Sequence, residues 1–156
     1  MKALIIYHSK TGHTKAAADN ISRGLAEKGV DVTIEEAAKS DPAKAGYYDI
    51  LLVGSPTYAT TRYKGAAKPV ERFMDAMKPD ALSGRLAGGF SVCAASGAEK
   101  IVAAIEKKLA SFGAKVVSPG QAVRAGAILS LYQGPDASPE DSAKCVELGR
   151  RVAGAA

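Results

Sequence analysis

The sequence predicts an α/β fold in three layers: a five-stranded parallel sheet with helices on both faces. Two patterns carry that prediction. Five short apolar runs alternate with stretches of helical periodicity, and the clearest runs are apolar without interruption, as strands buried on both faces are. Strands joined in turn through helices pair in parallel, with right-handed crossovers.

The first run, Lys2 to Tyr7 (KALIIY), is too short for a stable helix and stops at a polar turn. From Gly12 to Gly29, Ala17, Ile21 and Leu25 recur at helical spacing, and Gly29 stands where a C-terminal cap falls. VDVTIE (30–35) alternates like an edge strand, and YDILLVGSP (48–56) repeats the buried pattern until Pro56 ends it. Gly65 to Met77 suits a helix, LAGGFSVCA (86–94) a fourth strand, EKIVAAIEKKLASFG (99–113) a helix closed by Gly113, and AKVVSPGQAV (114–123) a fifth strand. In the last helix, 138–153, Ser138 is the expected N-cap, Pro139 takes the first turn, and Glu140 and Asp141 complement the helix dipole. With no repeat, linker or low-complexity segment, residues 1–156 read as a single domain.

Composition narrows the function. A chain of 156 residues that is 47% hydrophobic can bury a substantial core. No stretch approaches the roughly 18 apolar residues of a membrane span, and no signal-peptide pattern precedes the first strand, so a soluble, cytoplasmic protein is expected with no membrane partner. Cys93 and Cys145 lie far apart and form no ligand spacing, which argues against a disulfide framework or a metal site. Both read as core thiols. The 21 Lys plus Arg against 16 Asp plus Glu give a net charge of +5, but the basic residues are scattered, so no nucleic-acid partner is expected.

In doubly wound sheets ligands bind beyond the carboxyl ends of the strands, where strand order reverses. That points to three loops: HSKTGHT after the first strand, GSPTYATTRYKG after the third and CAASGAEK after the fourth. In the first, Ser9, Thr11 and Thr14 surround Gly12 at the mouth of a helix, where amides and the helix dipole favour an anion. One hydroxyl would suffice as an N-cap; three exceed that need. The loop lacks GxxxxGK[ST], and no GxGxxG follows the strand, so a nucleoside triphosphate or a Rossmann-type dinucleotide is disfavoured and a small phosphate monoester remains. A signalling receiver domain would need acidic residues where Tyr7, His8, Gly54 and Ser55 stand. A cysteine phosphatase would need arginine where Glu99 follows Cys93.

These residues resemble the flavodoxins and flavodoxin-like flavoproteins. SKTGHT matches the family's [ST]-x-[ST]-G-x-T phosphate loop, and VGSPTYA is similar to the loop of flavodiiron flavodoxin domains and of tryptophan-repressor-binding-protein-type quinone reductases. The resemblance spans nearly the whole chain and implies strand order 2-1-3-4-5 with flavin mononucleotide (FMN) as cofactor. It places Ser9, Lys10, Thr11, Gly12, His13 and Thr14 at the phosphate. Pro56, Thr57, Tyr58 and Ala59 would line one face of the isoalloxazine ring, and Ala94, Ala95, Ser96 and Gly97 its other side and pyrimidine edge. Tyr58 is the expected stacking platform, with Tyr63 as the alternative. His13 reads equally as a phosphate donor or as a solvated residue at the helix start.

Two departures from the family pattern shape the functional expectation. Ala94 and Ala95 stand where many relatives place an aromatic residue, which leaves one ring face more open. Flavodoxins are typically acidic, whereas this chain is basic; Lys64, Lys68 and Arg72 would form a stripe, if Gly65 onward is helical, that steers an acidic redox partner. The leading reading is an electron-transfer protein that shuttles electrons between redox partner proteins, as a monomer or small homo-oligomer. The alternative is an FMN-dependent NAD(P)H:quinone oxidoreductase. TYATTRY contains no glycine, which predicts weak stabilisation of one-electron-reduced flavin.

Overall fold

A computed structural model describes residues 1–57, 65–126 and 134–156. Its strands are β1 (Lys2–Tyr7), β2 (Asp31–Glu36), β3 (Ile50–Pro56), β4 (Leu86–Cys93), β5 (Lys115–Val116) and β6 (Gln121–Arg124). The helices are α1 (His13–Ala26), α2 (Lys68–Asp75), α3 (Ala98–Ser111) and α4 (Pro139–Gly154). The sheet runs β2-β1-β3-β4-β5, all parallel, with β6 also paired to β4. The order reverses between β1 and β3, which puts the ends of β1, β3 and β4 side by side.

Strand alternation divides the core into two. Ala3, Ile5, Ile50, Leu52 and Phe90 point to the face covered by α1 and α4. Leu4, Ile6, Leu51, Val53 and Ala87 point to the face covered by α2 and α3. Because both faces are covered, β1, β3 and β4 are buried nearly throughout, which explains their uninterrupted apolar runs. Gly54 makes room for its neighbour: a Cβ there would lie 2.1 Å from the Phe90 ring. The helices α1 and α4 cross backbone against backbone. A Cβ on Gly24 would fall 1.9 Å from the Val146 carbonyl oxygen, and one on Gly149 would fall 2.2 Å from that of Ile21. That close approach seats α1, and with it the turn at its start.

Three elements differ from expectation. The fifth strand is in two pieces. Ala87 pairs with Val116 and Phe90 with Gln121, so four residues span what two span in β4. Pro119 brings no N–H to the ladder, and the detour is clamped by Glu106 of α3, whose carboxylate accepts from the Ser118 hydroxyl at 2.6 Å and from the Gly120 amide at 2.5 Å. The second helix starts at Lys68, not Gly65, because the ring of Pro69 would collide with the carbonyl of residue 65 in a continued helix. Of the basic stripe, Lys68 and Arg72 lie exposed four residues apart on α2, and Lys64 lies outside the described residues. Two short 3-10 turns, Ala37–Lys39 and Pro42–Tyr47, carry the chain from β2 to β3.

Candidate functional site

The first loop turns sharply at Gly12, whose φ of +91° lies in the left-handed region that glycine enters without a Cβ penalty. Ser9 Oγ accepts from the Gly12 amide at 3.0 Å, which ties the turn and keeps the hydroxyl proton of Ser9 available as a donor. Among the described residues no side chain caps α1, its first turn carries no acidic residue, and a Cβ on Gly12 would meet open space. Lys10 is exposed, Ser9 and Thr11 are half-buried, and Thr14 is buried in the first turn. The result is a concave, electropositive helix start with hydroxyls around it.

His13 is not the solvated residue of one expectation. It is buried, with Nδ1 3.6 Å from a carboxylate oxygen of Asp136. It lines, with Asn20, Ser142 and Cys145 among others, a cavity of about 270 Å³ between α1 and the segment that leads into α4.

The ends of β3 and β4 are joined by hydroxyls. Ser55 and Ser91 are both fully buried, although neither was singled out in the sequence. Ser91 Oγ donates to the Ser55 carbonyl at 2.7 Å and lies 2.9 Å from Thr57 Oγ1, while the Thr57 amide donates to the Val92 carbonyl at 2.8 Å. The signal that could have found them is a lone serine inside an apolar strand, since a buried hydroxyl must find partners. Pro56 and Thr57 are half-buried at the sheet edge; Tyr58, Ala59 and Tyr63 lie outside the described residues.

Beyond β4, Ala94 is half-buried, and Ala95 and Ser96 are exposed. Gly97, with φ +100°, leads α3 without a side-chain cap, and a Cβ on it would sit 3.2 Å from Thr57 Cγ2. The structure thus brings 9–14, 56–57 and 94–97 to one edge of the sheet, in the order that the strands dictate. Burial pushes up the pKa of the Cys93 thiol, against the effect of a hydrogen bond from the Ala98 amide. Burial pushes Cys145 up to about 12. Both are neutral packing residues at neutral pH, as expected of core thiols. Among the described residues no group of His, Cys, Asp and Glu forms a metal-binding cluster, and no helix is long and apolar enough to cross a membrane.

The family model for Flavodoxin matches residues 5–146. This chain belongs to the flavodoxin family. A flavodoxin of Aquifex aeolicus is 32% identical across 97% of this chain and 85% of its own length. An NAD(P)H dehydrogenase (quinone) of Bradyrhizobium sp. (strain ORS 278) is 29% identical across 74% of this chain and 69% of its own length. Among solved structures, a flavodoxin from the domain Archaea superposes with a TM-score of 0.81 at 27% identity, covering 99% of this chain and 98% of that one. Flavodoxins are FMN-binding electron-transfer proteins, and family and fold together support that description here.

Proposed function

We propose that this flavodoxin holds FMN across the three loops and carries electrons between separate redox partner proteins. The observation that carries the reading is the start of α1: a first turn without acidic residues, led by left-handed Gly12 and uncapped among the described residues, with Ser9, Thr11 and Thr14 beside it in the chain. That donor set fits a phosphate dianion, which gains most from amides, hydroxyls and a helix dipole. In this reading the hydroxyls of Ser9, Thr11 and Thr14 and the amides at the start of α1 hold the phosphate, while Lys10 adds positive charge from the exposed side. Pro56, Thr57, Tyr58 and Ala59 line one side of the ring; Ala94 to Gly97 lie at the other, the small side chains leaving its edge accessible. When bound, FMN supplies the redox couple, accepting and releasing electrons. His13 supports the phosphate turn from below, its ring packed towards Asp136.

The basic balance of the chain suits an acidic partner, with Lys68 and Arg72 on exposed α2 beside the loop after β3. Reversing both charges is expected to slow electron transfer to such a partner and flatten its salt dependence; unchanged rates and salt slope would count against the docking face. The test of the main reading is the visible spectrum of the purified protein with FMN added: a bound flavin band and one-to-one titration are expected, and no binding at micromolar FMN rejects it.

A second reading, NAD(P)H:quinone oxidoreductase, draws on the quinone-dehydrogenase relatives and on the small side chains of Ala94 and Ala95, which leave space for a substrate over the ring. Rapid turnover of NADPH with benzoquinone would favour it over the carrier.

A further inference from the structure

The hydroxyls of Ser55 and Ser91 are both fully paired at the base of the loop after β3. Ser91 has one proton, which it gives to the Ser55 carbonyl at 2.7 Å, so Thr57 must be the donor in the 2.9 Å contact between their hydroxyls. Ser55 in turn gives its proton to the Pro56 carbonyl at 2.9 Å and accepts from the Ala67 amide at 2.7 Å. Each buried hydroxyl therefore donates once and accepts once. A satisfied network of this kind stiffens what it joins, because every alternative leaves a buried polar group unpaired.

Its connectivity is specific. Ser55 stands where the chain leaves β3, and Ala67 is the N-cap residue of α2. One hydroxyl thus holds both ends of the intervening loop. Ser91 adds the neighbouring strand, fixing Thr57 against Gly97, where Thr57 Cγ2 would lie only 3.2 Å from a Cβ. Neither serine has solvent-accessible surface. Neither can touch a ligand.

We propose that Ser55 and Ser91 are positioning residues for the flavin ring: their hydroxyls clasp Thr57 and Ala67, which flank the loop after β3, and set the distance of Thr57 from Gly97 in the loop after β4. The inference rests on the FMN reading of the site. It concerns the ring and not the phosphate, since the turn at Ser9–Thr14 makes no hydrogen bond to the clasp among those described.

The test compares FMN with riboflavin, which shares the ring and lacks the phosphate, by fluorescence quenching at a temperature well below each variant's melting point. Ser55→Ala and Ser91→Ala are expected to raise both dissociation constants about tenfold and leave their ratio within twofold, as loss of one buried hydrogen bond implies. Thr14→Ala, by contrast, should change the ratio. Amide exchange at Ala67 should speed up in Ser55→Ala. Thr57→Val, a nearly isosteric change at a half-buried site, keeps the test available if a serine variant does not fold; it should weaken both flavins about threefold with the ratio kept. Unchanged affinities in the folded variants, or a loss confined to FMN, would overturn the clasp. A wild-type protein that ignores FMN would instead sink the flavin reading, and the clasp with it.

Discussion

The described helices start from the same edge of the sheet, and three of them do not start alike. The helices α1 and α3 are led by left-handed glycines, Gly12 and Gly97, and neither has a side-chain cap. The fourth, α4, opens on Ser138, whose hydroxyl accepts from the Asp141 amide at 3.1 Å, with Pro139, Glu140 and Asp141 in its first turn. Asp141 also accepts from the Arg124 amide at the end of β6, which locks α4 to the sheet. At α4 the chain satisfies its own amides and neutralises its own dipole; at α1 no described side chain caps the first turn and no acidic residue within it offsets the dipole. The helix α3 falls between them: it is uncapped but carries Glu99 in its first turn, so its start suits the neutral carbonyls of a ring edge better than a dianion.

The largest way to break this contrast is to dislodge α1. Gly24→Ala would drive a methyl into the Val146 carbonyl where α1 crosses α4; we expect a loss of about 3 kcal/mol in urea melts, with FMN affinity falling alongside. A smaller effect falls on ligand binding alone. Thr14→Ala should cost about 2 kcal/mol of FMN binding, a roughly 30-fold rise in Kd by titration, with riboflavin much less affected. Next comes a pH effect beneath the capped helix. Burial holds the Cys145 thiol up to about 12 in the fold, above the 9.0 of an exposed thiol, so the folded state keeps its proton where the unfolded chain has lost it. Stability tied to this group is complete below pH 9 and declines as pH rises towards 12. Between pH 7 and pH 10 the loss should be on the order of 1 to 2 kcal/mol, and Cys145→Ala should show a shallower decline over that range. The smallest effect sharpens the contrast: Ser138→Ala should lower stability by about 1 kcal/mol and leave FMN affinity unchanged, because that cap serves only its own helix.

Some of this molecule is legible along the chain because the responsible residues are neighbours. KALIIY running into HSKTGHT shows a strand, a turn and a helix start at once, and Ser138, Pro139, Glu140 and Asp141 spell out a cap that the structure contains as expected. The end of α2 that faces the site was misread for a local reason: Gly65 to Met77 has helical periodicity, but Pro69 forbids the first turn. The fifth strand was read through Pro119 as one piece, although the proline already marked the break. Other features had no local trace. The sequence offers His13 as phosphate donor or solvated residue, while the fold buries it with Nδ1 beside a carboxylate oxygen of Asp136, towards the far end of the chain. The expected platform Tyr58, its alternative Tyr63 and the charge of Lys64 fall outside the described residues.

By itself the sequence determined the alternation of strands and helices, the strand ends where a ligand can bind, and the hydroxyl-rich turn before α1, because each follows from periodicity or from residues within one turn of each other. Only the tertiary structure decided that Gly24 and Gly149 let two helix backbones touch, that Ser55, Ser91 and Thr57 are joined by hydrogen bonds, and that His13 turns towards Asp136. Those contacts join strands and helices far apart in the chain. A buried hydroxyl, imidazole or glycine shows in sequence only that it needs a neighbour, and packing alone chooses which.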